Sequence, residues 1–462
     1  MNPFVAKLGV LGNRPSRREW LRIGVPIAFG SSLLRASSPT ISARAKSVLV
    51  VFTSGGMSQI DTLDPKPNAP VEIRGAFGSI PTAVPGTRFC ELLPKVAKLA
   101  DRFTVLRSIT HDDLDHGTAC YLALTGQFHP QKSSNPPPRP TDFPTLGAVL
   151  QRVRPADRFP HAAFHVNGPL LAPKEVSPGQ YGGFLGRGYD PLELGEVTNG
   201  SALFDGMELM PDVSKERLSE RANLAAGLNG NRLTTATGHP ELTRKAYDLI
   251  AAPHLRAAFD ITREPTKVRD RYGRYRAGQA CLLGRRLVEA GVPWVTVFFN
   301  HNIRGQDDHP NDTDEYGWDT HNDIFYAMRE HLLPRFDRSF SALLEDLDQR
   351  GLLKTTLVIC IGEFGRAPLV ALEKNFAGSS PGRKHWGRCY SAILAGAGIT
   401  RGAIYGSSDR QGGYPQSNPV TPGDVAATLF DALGIDPAGH YPDLTNRPYR
   451  IATGDPISGL FQ

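Results

Sequence analysis

Three short motifs in the C-terminal half of this sequence carry side-chain types that bind divalent cations. Trp318-Asp319-Thr320-His321 sets a carboxylate two residues from an imidazole. Glu363-Phe364-Gly365-Arg366 joins an acid to a guanidinium, and Gly382-Arg383-Lys384-His385-Trp386 places His385 among basic residues. Each lies after an apolar run that reads as a strand, directly or across a loop. Carboxylates and imidazoles gathered at strand ends can hold a cation and activate an oxygen nucleophile. The expectation is a metal cradle containing Asp319, His321, Glu363 and His385. Ordinary explanations stand beside it: Asp319 can cap the following helix, and Glu363 can pair with Arg366 to fix a loop. The repetition of the same placement after several strands favours a site.

Closer to the N-terminus, Gly55-Gly56-Met57-Ser58-Gln59-Ile60-Asp61, with Asp64 beyond, ends another apolar run. Ligands of open α/β sheets bind outside the carboxyl ends of strands. Asp61, and less so Asp64, is therefore a further candidate ligand, and Ser58 a candidate nucleophile. A Gly-rich turn capped by Asp accounts for the same residues. The loop after Val-Thr-Val-Phe-Phe-Asn is dense in His301, Asp307, Asp308, His309, Asp312 and Asp314, and among its histidines His321 is the favoured ligand. Arg366, Arg383, Lys384 and Arg388 can grip an oxyanion, Arg in a bidentate manner, or simply be solvated.

The elements that must position these groups follow from hydrophobic pattern. Lys46 to Ser54 reads as a fully buried strand, and Thr104 to Ile109, His161 to Val166, Trp294 to Asn300, Thr355 to Ile361 and Ser391 to Ala395 as others. Helices are predicted over Leu92 to Ala100, His116 to Leu124, Thr145 to Val153, Ala277 to Ala290 and Asn322 to Arg350, the last broken or kinked at Pro334. Strands alternating with helices predict a three-layer α/β/α sandwich around a mostly parallel sheet. Residues 172–274 change character, with frequent Gly and Pro and then polar helices near Val213 to Leu228 and Glu241 to Ala252. They are predicted to form an inserted cap.

A chain of 462 residues that is 40% hydrophobic and 21% charged, with net charge +6, has ordinary globular values. It has no basic tract interleaved with aromatics, so nucleic acid is not an expected partner. Five widely spaced cysteines argue against a disulfide scaffold and a Cys-based zinc site. Ser16-Arg17-Arg18-Glu19-Trp20-Leu21, a mildly apolar stretch and Ala43-Arg44-Ala45 follow one another as the parts of a twin-arginine export signal. Residues 1–45 are accordingly read as a leader and 46–462 as the mature domain, working in the periplasm or outside the cell. The apolar stretch is too short for a stable membrane span.

Several segments together resemble the DUF1501 family of exported proteins: the leader, GGMSQIDTLDPKP, RGAFGSI, YGRYRAGQACLLGRRLVEAGVPWVTV, WDTH, RGLLKTTLVICIGEFGR, GRKHW and YGSSD. They cover nearly the whole mature chain. Ala367-Pro368 replaces the usual Thr-Pro after EFGR, and Lys384 stands where an acidic residue is common. The family is similar to the alkaline phosphatase, sulfatase and phosphoglycerate mutase superfamily, which implies an alkaline-phosphatase-like fold, a divalent metal and hydrolysis of phosphate or sulfate esters. It implies Asp61, Asp319, His321, Glu363 and His385 as ligands, with Arg383 or Arg366 stabilising the charged transition state. Mixed His and carboxylate ligands lean towards zinc or manganese over calcium.

The stretch CYLALTGQFHP resembles a sulfatase segment whose nucleophile lies ten residues before the Gly, and that position is His116. Four readings stay open: the hydroxyl has moved to Thr118 or Ser58, His116 binds metal, water attacks directly, or hydrolysis is lost. The expected partner is an anionic small-molecule or glycan ester. The alternative is a non-catalytic, metal-binding relative that recognises an extracytoplasmic glycan or a partner protein.

Overall fold

A computed structural model describes residues 42–156, 159–172, 174–198, 257–304 and 316–462, with a few isolated positions between 214 and 247. The predicted leader before residue 42 and the two predicted polar helices of the cap lie outside the described residues, apart from those isolated positions. So do Asp307, Asp308, His309, Asp312 and Asp314.

The inner strands are largely apolar runs buried on both faces, the pattern of a sheet covered on both sides, while the two outermost strands are only partly buried. The strands are β1 (Ser47–Phe52), β2 (Phe103–Ile109), β3 (Ala163–Val166), β4 (Leu192–Leu194), β5 (Trp294–Phe298), β6 (Thr356–Ile361), β7 (Tyr390–Ala395) and β8 (Ala403–Tyr405). They form one sheet in the order β8-β2-β7-β6-β1-β5-β3-β4. Every pairing is parallel except the two made by β7.

Alternate residues of the strands feed two cores. Val48, Val50, Phe52, Leu357 and Ile359 pack with helices α1 (His116–Thr125), α2 (Leu146–Val153) and α5 (Pro422–Ala432) on one face. Leu49, Val51, Val295, Val297 and Val358 pack with α3 (Arg276–Ala290) and α4 (Leu333–Gln349) on the other. The result is the expected three-layer α/β/α sandwich. The predicted strands and helices that fall within the described residues are present within a few residues. Strands β4 and β8 escape prediction because three residues at a sheet edge carry no periodicity. Pro334 does not break the last long helix: helical backbone runs without a gap from Ile324 to Gln349, and the irregularity that accompanies the proline is a π-helical turn at Met328–Leu332 just before it. All five cysteines are free and buried. No described helix is long and apolar enough to cross a membrane.

Register decides where the chemistry falls. Phe52 lies opposite both Phe298 and Ile361, so the chain leaves β1, β5 and β6 at one edge of the sheet. Because β7 runs the other way, its first residue Tyr390 lies beside Ile109, the last of β2. His385, just before β7, and His116, just after β2, therefore arrive at that same edge.

Gly55 locks the loops there together. Its φ is +109°, and a Cβ would lie 2.5 Å from the backbone nitrogens of Trp318 and Asp319. Trp318 N–H donates to Ser54 O at 3.0 Å across this contact. Gly55→Ala is expected to lose about 2 kcal/mol or more through strain and clash. Gly351→Ala, with φ +69° and open space around it, should lose less. Urea unfolding midpoints of the two variants check this.

Candidate functional site

Asp319 is the hub. Its Oδ1 lies 3.1 Å from His116 Nε2, 3.1 Å from His321 Nε2 and 3.2 Å from His385 Nε2, and it accepts from Arg366 Nη2 at 2.7 Å. His321 Nε2 and His385 Nε2 are themselves 2.8 Å apart. Ligand atoms of His116, Asp319 and His385 lie close enough to one another to share a single cation. The three imidazoles thus turn Nε2 towards a shared centre, from the first turn of α1, from the loop after β5 and from the loop before β7.

Behind each ring stands an acceptor. His116 Nδ1 lies 2.6 Å from Glu363 Oε1, which also accepts from Gly55 N–H at 2.8 Å. His385 Nδ1 meets Leu114 O at 2.7 Å, and His321 Nδ1 lies 3.4 Å from Glu373 Oε2. In a neutral ring an acceptor at Nδ1 favours the proton there and leaves Nε2 free for a metal; the contact is of hydrogen-bond length at His116 and His385 and longer at His321.

Electrostatics draw positive charge to the same point. Burial opposes a charged ring at His116, but Asp319 and then Glu363 outweigh it and hold its pKa at about 9. At His385 burial dominates, and the neighbouring charge on His116 adds to it, pushing the pKa down to about 3. Burial also opposes the charge on Asp319, yet His116 and Arg366 hold its carboxyl well below the ordinary range. A proton on His116 balances the carboxylates where a cation is absent, and a cation bound there would displace it.

The cluster brings together Asp319, His321 and His385, and His116 joins them in a ligand-like position. Glu363 touches it only through His116: it is fully buried, with Oε1 on His116 and Gly55. Asp61 lies apart from the cluster, its carboxylate clamped by Arg383, with Nε to Oδ2 at 2.7 Å and Nη2 to Oδ1 at 3.0 Å. The remaining Arg383 donors go to the carbonyls of Ile73, Ala367 and Pro368, so all five of its N–H bonds are used within the protein.

Arg366, likewise fully buried, holds Asp319 and the carbonyls of Gly55, Gly56, Trp318 and Arg383. Neither guanidinium is placed to grip a substrate oxyanion, while Lys384 and Arg388 are exposed. Asp64 pairs with Lys66 and Arg107 at 3.0 and 3.2 Å.

The two candidate hydroxyls are committed elsewhere. Ser58 Oγ donates to Asp61 Oδ2 at 2.5 Å, and Thr118 Oγ1 donates to Asp113 Oδ1 at 2.8 Å. His301 uses its carbonyl to accept from Leu171 N–H and lies outside the cluster. Sequence reasoning missed Glu373 and Phe376, which stacks on His321 with ring centres 3.7 Å apart. They sit in an irregular stretch with no strand or helix pattern, and the one available signal was an isolated acid between two motifs.

The separation of Asp61 from the cluster has a measurable consequence. Asp61→Asn leaves the buried Arg383 guanidinium uncompensated, and removal of one partner of a buried pair costs about 3–5 kcal/mol. Denaturant unfolding should show that loss, while elemental analysis of the folded fraction shows unchanged metal content.

The family model described as "Protein of unknown function (DUF1501)" matches residues 45–461. No curated protein matches. Among solved structures, a protein in the alkaline phosphatase superfamily from Vibrio parahaemolyticus is 12% identical, with TM-score 0.38 over 86% of this chain and 71% of that one. The phosphonate monoester hydrolase SpPMH from Silicibacter pomeroyi is 12% identical, with TM-score 0.39 over 87% and 76%. The PsFucS1 sulfatase from Pseudoalteromonas sp. is 14% identical, with TM-score 0.35 over 85% and 68%.

Proposed function

The chain belongs to the DUF1501 family, and from that premise we propose that it is an exported, metal-dependent hydrolase of phosphate or sulfate esters. The observation that carries this reading is the convergence of three imidazole Nε2 atoms on Asp319 Oδ1. His116, Asp319, His321 and His385 would hold one divalent ion, and this nitrogen-rich set suits zinc or manganese better than calcium. Such an ion supplies Lewis-acid chemistry, polarising an ester oxygen and lowering the pKa of an attacking water.

The chain's own residues do the rest. Glu363 holds His116 from behind, and Arg366 fixes Asp319 while offsetting part of its charge. Arg383 and Asp61 act as a buried brace between the loops after β1 and before β7. With Ser58 and Thr118 committed to carboxylates, the reading takes water as the nucleophile and His116 as a ligand. Lys384 and Arg388 are the exposed cations left to meet an anionic small molecule or glycan ester.

The second reading is a non-catalytic metal-binding relative that recognises an extracytoplasmic glycan or a partner protein. It is favoured by the same two occupied hydroxyls, which leave the cluster without a covalent nucleophile among the described residues.

Purified mature protein should turn over aryl phosphate or aryl sulfate esters, lose that activity to a chelator and regain it with zinc or manganese. His116→Ala and His385→Ala should each bind zinc more than about 100-fold more weakly, beyond the range typical of outer-sphere changes. Stoichiometric metal without turnover of any ester would replace the hydrolase reading with the binding one. Absence of metal from the wild-type protein would refute both.

A further inference from the structure

The segment between Arg366 and Arg383 contributes to the site although no motif announces it. Asn322, next to His321, clips this segment in place. Its side-chain oxygen accepts from Glu373 N–H at 2.9 Å, and its Nδ2 donates to the carbonyls of Glu373, Phe376 and Ala377 at 2.9–3.1 Å. Pinned this way, the segment delivers two side chains to His321. Phe376 lies flat on the ring, 3.7 Å away at an interplanar angle of 7°, and fixes its plane. Glu373 Oε2 lies 3.4 Å behind Nδ1, a few tenths of an ångström beyond hydrogen-bond length. His321 Nδ1 and Glu373 Oε1 are both buried and without a hydrogen-bond partner.

This arrangement bears on the tautomer of His321. His385 donates through Nδ1 to Leu114 O, so its Nε2 is a lone pair. His321 Nε2, 2.8 Å away, has two options. It can carry the proton and donate to His385 or to Asp319 Oδ1, 3.1 Å away, in which case it cannot ligate. Or its proton can sit on Nδ1 beside a carboxylate, leaving a second lone pair beside the first. We propose that Glu373 is a positioning residue that selects the second option and so makes His321 a metal ligand, as Glu363 does for His116. This rests on the metal-binding reading above. Lys384 Nζ, 3.9 Å from Glu373 and largely exposed, is a weak contributor.

The test is zinc affinity, by competition with a chromophoric chelator, together with the visible spectrum of the cobalt form. It is applied to the mature wild-type protein and to Glu373→Ala, Glu373→Gln and Lys384→Ala. Glu373→Ala should bind zinc about 10–100-fold more weakly and shift the cobalt spectrum. Its metal-free melting temperature should be unchanged, because Asn322 grips only main-chain atoms of residue 373. Glu373→Gln should recover most of the affinity, since its amide oxygen still accepts from Nδ1. Lys384→Ala should stay within about threefold of wild type. Wild-type affinity and spectrum in Glu373→Ala would overturn the proposal while leaving the metal reading standing. Equal losses in the Ala and Gln variants with a lowered metal-free melting temperature would also overturn it, in favour of a merely structural role. A wild-type protein that binds no zinc or cobalt would defeat the metal reading itself, and this inference with it.

Discussion

The charge on Asp319 is the constraint around which the rest of the site is arranged. A carboxylate largely removed from water is unfavourable unless it is hydrogen-bonded and balanced. Arg366 meets that demand from one side, with its own guanidinium fully buried and its other donors spent on main-chain carbonyls. On the other side three imidazoles present nitrogen to the same oxygen. With Glu363 close behind His116, the two carboxylates exceed the single guanidinium by one negative charge, and the site attracts either a proton or a cation.

That arrangement holds because the sheet brings distant segments to one edge. Parallel β1, β5 and β6 end together, and antiparallel β7 begins where β2 ends. Gly55 lets the loop after β1 press against the loop carrying Asp319, at a distance that no Cβ would tolerate. A second ion pair, Asp61 with Arg383, ties the loop after β1 to the loop that carries His385. The brace and the cluster are neighbours with different tasks: one is closed on itself, the other keeps lone pairs facing a common point.

Much of the fold and part of the site were legible in the chain. Short continuous apolar runs rich in β-branched residues and ended by glycine or polar turns announce strands buried on both faces, their length and β-branching separating them from buried helix segments. The motifs WDTH and GRKHW contained three of the four converging ligand-type groups. Short edge strands β4 and β8 were not legible, because three residues show no period. The pairing of Asp61 with Arg383 is not legible for a related reason: an acid after a strand looks the same whether it faces a cation or a guanidinium 322 positions away. Glu363 read as a ligand because residue type alone does not distinguish an acid in contact with a cation from one standing behind a histidine.

The sequence by itself determined the layer architecture and the inventory of chemical groups, because hydrophobic period and residue type are local properties. It also determined that acids and histidines would gather near strand ends. Tertiary structure alone decided which of them share one oxygen, which are consumed by buried arginines and which stand behind a ring to set its tautomer. Those outcomes depend on distances of about 3 Å between residues separated by tens to hundreds of positions, and hydrogen bonding changes character over a few tenths of an ångström. Strand register and the reversed direction of β7 set those distances, and no local pattern in the chain encodes them.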